Sequence, residues 1–223
     1  MSGNLIVIES GTDSSGKATQ TKKLYQKLKQ DKKEVLKVEY PNYESKSSAL
    51  IKMYLKGEFG SKAEAVNPYA ASSFFAVDRY ASFRQNWASF YQQGGIVIAD
   101  RYTTSNMIHQ GSKIENKEKR NKYLQWLKDY EFNKLALPEP DIVVFLNLEP
   151  ELSAKLMKER RKEQQQKSDI HELDEEYLRQ CYKTGLEIAI NNDWEIIDCA
   201  QQGNLKSIDT IAKEVYQVVK NNL

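Results

Sequence analysis

Apolar residues gather in five short runs: Leu5-Ile6-Val7-Ile8, Val35 to Tyr40, Ile96-Val97-Ile98-Ala99, Asp141 to Leu146, and Trp194 to Asp198. Runs this short and continuous suit strands covered on both faces. The second alternates Val and Leu with charged residues and stops at Pro41-Asn42, a turn signal. Between the runs the spacing becomes helical. Leu24 and Leu28 stand four apart within Lys17 to Gln30, with lysines on the opposite face. Asn67-Pro68 reads as a cap and first helical residue. It opens one long aromatic helix to about Gln93, which Gly94-Gly95 ends. Further helices are expected over Ala49 to Lys56, Thr103 to Gln110, Tyr123 to Phe132, Glu151 to about Glu163, Tyr177 to Ile190 and Ile208 to Val219, with 114–122 read as a charged loop. Strands alternating with helices require crossovers. The expected fold is α/β, a five-stranded parallel sheet with helices on both faces. Ligands bind such sheets outside the carboxyl ends of the strands.

At 223 residues and 40% hydrophobic, the chain suits a single domain over 1–223. A net charge of +2 gives no whole-chain case for a nucleic-acid partner, and the lysine-rich first helix reads as a solvated face. No apolar run is long enough to span a bilayer. No basic-then-apolar leader precedes the first strand. A cytoplasmic protein without a membrane partner is expected. Cys181 and Cys199 lack metal-ligand spacing and are expected as thiols, and the isolated His109 and His171 argue against zinc.

The candidate chemistry begins directly after the first strand. Gly11-Thr12-Asp13-Ser14-Ser15-Gly16-Lys17-Ala18-Thr19 lies between a strand and a helix, the context of a phosphate-binding loop. Gly11 and Gly16 are expected to let the backbone curl. The turned N–H groups and the helix N-terminus then face one point where phosphate oxygens fit, and Lys17 reaches the β- and γ-phosphates. The residue after the lysine usually offers magnesium a hydroxyl; here it is Ala18, and Thr19 comes one later. Asp13 would repel phosphate, so it is expected either to meet a second substrate's hydroxyl or water on magnesium, or to close an Asx turn.

Three other segments carry chemistry. Asp100-Arg101-Tyr102 ends a buried strand. Asp100 suits magnesium through water and Arg101 a phosphate; a structural ion pair is the alternative. Phe75 and Arg79 share a helical face and either hold a base and its phosphate or pack in the core, where Phe74 is expected. Lys155, Lys158, Arg160, Arg161 and Lys162 lead into a polar run to Asp169. This is either a closing lid, at about 155–172, or an exposed charged helix end.

In this order the pieces resemble the thymidylate kinase family of P-loop nucleoside monophosphate kinases over almost the whole chain. The loop is similar to G-x-D-x-x-G-K-[ST]-T-Q. Asp100 to Gln110 is similar to D-R-[YH]-x-x-S-x-x-x-[YF]-Q, with His109 at a commonly aromatic position. Phe74 to Arg79 loosely matches L-L-F-x-A-x-R, and Pro140-Asp141 with the following strand matches P-D-x-x-x-x-L. The resemblance implies phosphorylation of dTMP to dTDP with MgATP, magnesium as the cofactor, and a homodimer packed through helices. The long aromatic helix is the candidate interface, with a central core helix as the alternative. Gly11 to Thr19 would form the ATP site. The acceptor site would comprise Asp13 at the sugar 3′-hydroxyl, Tyr40, Phe75 on the thymine, Arg79, Arg101 on the acceptor phosphate, Tyr102, Ser105 and Gln110. Asp13, Lys17, Arg101 and a lid arginine, Arg160 or Arg161, would carry catalysis, since Ser14 stands where some members have a loop arginine. Besides Ala18, the chain has no arginine after the second strand, where Lys46 is the nearest cation, and has Ser10 in place of a glutamate, with Glu9 one earlier. A kinase of another deoxynucleotide or of a deoxynucleoside, or a nucleotide-binding protein without catalysis, remain alternatives on these residues.

Overall fold

In a computed structural model the apolar runs form one five-stranded parallel sheet in the order β2-β3-β1-β4-β5. The strands are β1 (Asn4–Glu9), β2 (Val35–Glu39), β3 (Ile96–Asp100), β4 (Ile142–Asn147) and β5 (Glu195–Asp198). The structure describes residues 2–12, 14–164 and 175–223, with the side chains of all but 63, 159–164 and 175. Side chains alternate across the sheet. Ile6 and Ile8 face α1 (Lys17–Gln30) and α9 (Ile208–Asn222), packing with Leu24, Leu28, Ile211, Val215 and Val219. Leu5 and Val7 face the other layer, with Tyr40, Phe83, Trp87 and Tyr102. A fully buried aliphatic side chain contributes roughly 1.5–3 kcal/mol, so both faces of β1 anchor the fold. Its central place puts the loop after it at the middle of the sheet's carboxyl edge. There Ile8 pairs with Asp100 of β3 on one side and Val144 of β4 on the other.

The long aromatic helix is unbroken but is not an α-helix throughout. It consists of α3 (Pro68–Ser82), a π turn over Phe83–Trp87 and α4 (Ala88–Gln92). The wider turn shifts the helical phase, and both Phe83 and Trp87 are buried while Val77 and Tyr80 stay 48% and 41% exposed. Phe74 is not a core residue either. It is half-buried, against Tyr54 of α2 (Ala49–Leu55) and Phe59.

The segment read as a charged loop is largely helical. After α5 (Thr103–His109), α6 runs Lys117–Lys128, and the Asn116 side chain accepts from Lys119 N at 2.9 Å. Its inner stripe begins on a charged residue, Arg120, before Tyr123 and Leu127, which hides the start from a hydrophobic pattern. Arg120 is neutralised by Glu187 of α8 (Glu175–Asn191) at 2.8 Å. A second π turn, Asp129–Lys134, extends α6. A small hairpin, β6 (Ala200–Gln201) with β7 (Asn204–Leu205), was not expected from the pattern. Its turn residues Gln202 and Gly203 both take positive φ. α7 spans Pro150–Gln164; residues 165–169 of the expected polar run lie outside the described residues.

Candidate active site

The loop after β1 curls through left-handed conformations at Ser14, φ 54°, and Gly16, φ 89°. Gly16 is the residue entering α1, and glycine takes that conformation without a Cβ penalty. Gly11 serves a different purpose from the one its spacing suggests. It has no positive φ. A Cβ there would stand 2.8 Å from Tyr182 Cα and 3.2 Å from Cys181 O. Gly185 faces it, with a Cβ there 3.2 Å from Gly11 Cα. Helix α8 therefore lies directly on the loop's backbone. Lys17 is buried, and its Nζ donates to Ser10 Oγ at 2.7 Å, Thr12 O at 2.9 Å and Ser15 Oγ at 3.4 Å. Ser10 joins this set by donating to Thr12 O and accepting from Ser15 Oγ. Ala18 and Thr19 are exposed at the start of α1.

Beside the loop, buried Glu9 organises the neighbouring wall. Its Oε1 accepts from Ser10 N at 2.9 Å, and its Oε2 accepts from Thr104 Oγ1 at 2.8 Å and Ser105 Oγ at 2.6 Å. Asp100 ends β3, and burial raises its carboxyl above the usual range, against the opposing pull of Arg101 and Lys17. Arg101 turns the chain off the sheet at φ 66° while its N–H donates to Ile8 O at 3.2 Å. A non-glycine residue in that region costs roughly 1–3 kcal/mol and persists where its surroundings impose it. The register fixes what this turn achieves: the phosphate loop and Arg101 leave adjacent strands at one level.

Arg101 opens into a cavity of about 100 Å³, whose lining includes Tyr40, Phe75, Arg79, Tyr102, Ser105, His109 and Gln110. The structure thus brings seven expected acceptor residues, Tyr40, Phe75, Arg79, Arg101, Tyr102, Ser105 and Gln110, to one wall system. The Phe75 ring stands edge-on to Tyr54 at 6.3 Å. Tyr40 and Tyr102 offer rings rather than hydroxyls. Tyr40 Oη donates to Ser82 Oγ and accepts from Trp87 Nε1, and Tyr102 Oη donates to Pro138 O. Burial pushes Tyr40 up to about 12 and Tyr102 well above the usual phenol range, so neither exchanges a proton near neutrality. Gln110 is buried, and its Oε1 has no hydrogen-bond partner among the described residues. His109 Nε2 lies 3.4 Å from Arg101 Nη1.

Arg79 is held more tightly than the sequence suggests. Its Nε and Nη2 donate to Glu131 at 2.7 and 2.6 Å, and its Nη1 to Tyr102 O at 3.3 Å. Sequence reasoning passed over Glu131. A signal existed: Glu131 follows Tyr123 and Leu127 at four-residue spacing, and Arg79 follows Ser72 and Ala76 on the buried stripe of α3. Two opposite charges on two inward stripes point to a buried pair. Asp13, and the side chains of Arg160 and Arg161, lie outside the described residues.

No group of three or more His, Cys, Asp or Glu that could enclose a metal occurs among the described residues. Asp100, the carboxylate expected for magnesium, ends β3 level with Ile8, the residue of β1 three positions before Gly11.

The Thymidylate kinase family model matches residues 8–208. The thymidylate kinase of Mycobacterium tuberculosis is 32% identical over 152 residues, covering 67% of this chain and 68% of its own. A probable thymidylate kinase of Archaeoglobus fulgidus is 28% identical over 220 residues, covering 98% and 96%. Among solved structures, a thymidylate kinase from Candida albicans shares the fold with a TM-score of 0.69 at 23% identity, over 99% of this chain and 92% of that one. With a match over residues 8–208, the chain belongs to the thymidylate kinase family, ATP-dependent nucleoside monophosphate kinases that convert dTMP to dTDP.

Proposed function

We propose that the cavity behind Arg101 holds dTMP, and that its phosphate meets the γ-phosphate of ATP held by residues 11–19. The observation that carries this reading is the pairing of Ile8 with Asp100. It sets the phosphate loop and Asp100-Arg101 side by side at the sheet's carboxyl edge, and Arg101 also lines the cavity. An oxygen of the acceptor phosphate attacks the γ-phosphorus in line. This nucleophile is already anionic, so the site needs positioning and positive charge rather than a general base. Lys17 neutralises the donor phosphates and Arg101 the acceptor phosphate. Phe75 supports the base, and Tyr40, Tyr102, Ser105 and Gln110 shape its pocket with Arg79. Magnesium, when bound with ATP, would neutralise charge across the β- and γ-phosphates. Asp100 would hold it through water, because Ala18 has no hydroxyl, with Thr19 one position later as the alternative.

Other parts of the reading rest on the family resemblance. They are Asp13 at the 3′-hydroxyl, Arg160 or Arg161 on the transferred phosphoryl group, and a lid at about 155–172 within a single domain. A homodimer through α3 is supported by the exposure of Val77 and Tyr80. A cytoplasmic setting agrees with Cys181 and Cys199 remaining thiols. The site reading is tested by Arg101→Ala. Loss of a charge-assisted hydrogen bond, about 1.5–3 kcal/mol, should raise the KM for dTMP at least about tenfold, with little change in the KM for ATP. An unchanged KM for dTMP contradicts this assignment.

A further inference from the structure

Glu131 has no part in the chemistry above, yet it is fully buried behind the acceptor cavity. Its Oε1 accepts from Arg79 Nη2 at 2.6 Å, and its Oε2 from Arg79 Nε at 2.7 Å. The same Oε2 accepts from Thr103 Oγ1 at 2.7 Å. Arg79 belongs to α3, one turn beyond Phe75. Thr103 begins α5, directly after Arg101 and Tyr102. A single carboxylate, supplied by the π turn after α6, therefore joins the two helices that wall the cavity.

Stability alone is a poor reason for this pair. Desolvating two charges costs so much that apolar replacements are often neutral or stabilising. What the pair supplies is direction. A guanidinium is planar, with five N–H donors in a fixed fork. A carboxylate on its Nε–Nη2 edge sets the plane and aims the remaining N–H groups away from Glu131. Any rotation breaks two charge-assisted bonds together. Nη1 reaches Tyr102 O at 3.3 Å, and Arg79 lines the cavity. The local backbone is also specialised on both sides: a π turn begins four residues after Arg79, and another contains Glu131. Such turns recur at functional sites.

We propose that Glu131 is a positioning residue for the acceptor nucleotide. It aims Arg79 into the cavity and, through Thr103, fixes the spacing between Arg79 on α3 and Arg101 ahead of α5. The inference rests on reading the cavity as the dTMP site.

The test is steady-state kinetics with ATP and dTMP varied separately, for the wild type, Glu131→Gln and Thr103→Val. Glutamine keeps the shape but turns N–H groups toward donors. The KM for dTMP should rise about tenfold in Glu131→Gln, the scale of one hydrogen bond to a charged group, and about threefold in Thr103→Val, which acts on Arg79 only through Glu131, with the KM for ATP unchanged. An unchanged KM for dTMP in either folded variant overturns the proposal. So does a parallel rise in both constants, which is what a merely structural role produces. If Glu131→Gln does not fold, Thr103→Val decides alone by the same outcomes. A wild type that releases no ADP with dTMP would instead defeat the reading of the cavity, so the two failures are distinct.

Discussion

Lys17 is buried among acceptors of its own loop, with Ser10, Thr12 and Ser15 around its ammonium. A charge so buried acts where water is scarce, and it reaches a phosphate by exchanging these loop acceptors for phosphate oxygens. Lys17→Ala should lower kcat about a hundredfold or more, the scale of losing one aimed donor, with an unchanged circular dichroism spectrum. Wild-type turnover would contradict the role. Asp100 shows the opposite balance. Burial is the largest influence on it and raises its pKa above 3.8. The folded state thus holds this proton more tightly than the unfolded chain. Its stabilising contribution is present while protonated and is lost as pH rises through the folded value. At neutral pH the charged carboxylate works against the fold. Asp100→Asn should therefore raise the urea midpoint at neutral pH, by a margin that shrinks toward the carboxylate range, while turnover falls. A lower midpoint at neutral pH would contradict the sign. Residue types were legible in the sequence wherever a motif fixed them, as at Lys17 and Arg101. For Glu131 the spacing after Tyr123 and Leu127 signals burial, but its role was not legible, because that depends on a partner 52 positions away on a different helix.

At Gly11, helix α8 meets the phosphate loop backbone to backbone. Gly11 meets the backbone of Tyr182, and Gly185 meets Gly11. Backbone cannot swing aside as a flexible side chain can. Gly11→Ala should therefore cost roughly 1–3 kcal/mol, the usual range for overpacking, read as a lower urea midpoint, together with weaker ATP binding because the loop itself must shift. Both effects absent would mean the contact is looser than 2.8 Å implies. The five strands were legible because fully covered strands are written as unbroken apolar runs. Helix α6 was legible only from Tyr123 onward, since its buried stripe starts on Arg120 and its charge is cancelled by Glu187, far along the chain. The π turns were invisible, because one extra residue in a helix leaves no compositional mark.

The sheet brings distant segments to one edge, and the whole site depends on that. β1 stands between β3 and β4, an order that the alternating pattern did not specify. The same pattern left open whether α3 is a core helix or an interface. It serves the core through Ala71, Ala76 and Arg79, while Val77 and Tyr80 remain uncovered. If that face joins two copies, Val77→Asp with Tyr80→Asp should halve the mass seen by sedimentation. A wild type that sediments as a monomer contradicts the dimer. The central claim is that this site passes phosphoryl groups from ATP to a nucleotide's phosphate. Its most direct test is ADP release from MgATP offered a panel of deoxynucleosides and their monophosphates. ADP formed with dTMP in preference to the other monophosphates, and not with thymidine, is the result predicted. ADP formed only with the nucleosides, which have no phosphate for Arg101 to bind, would contradict it.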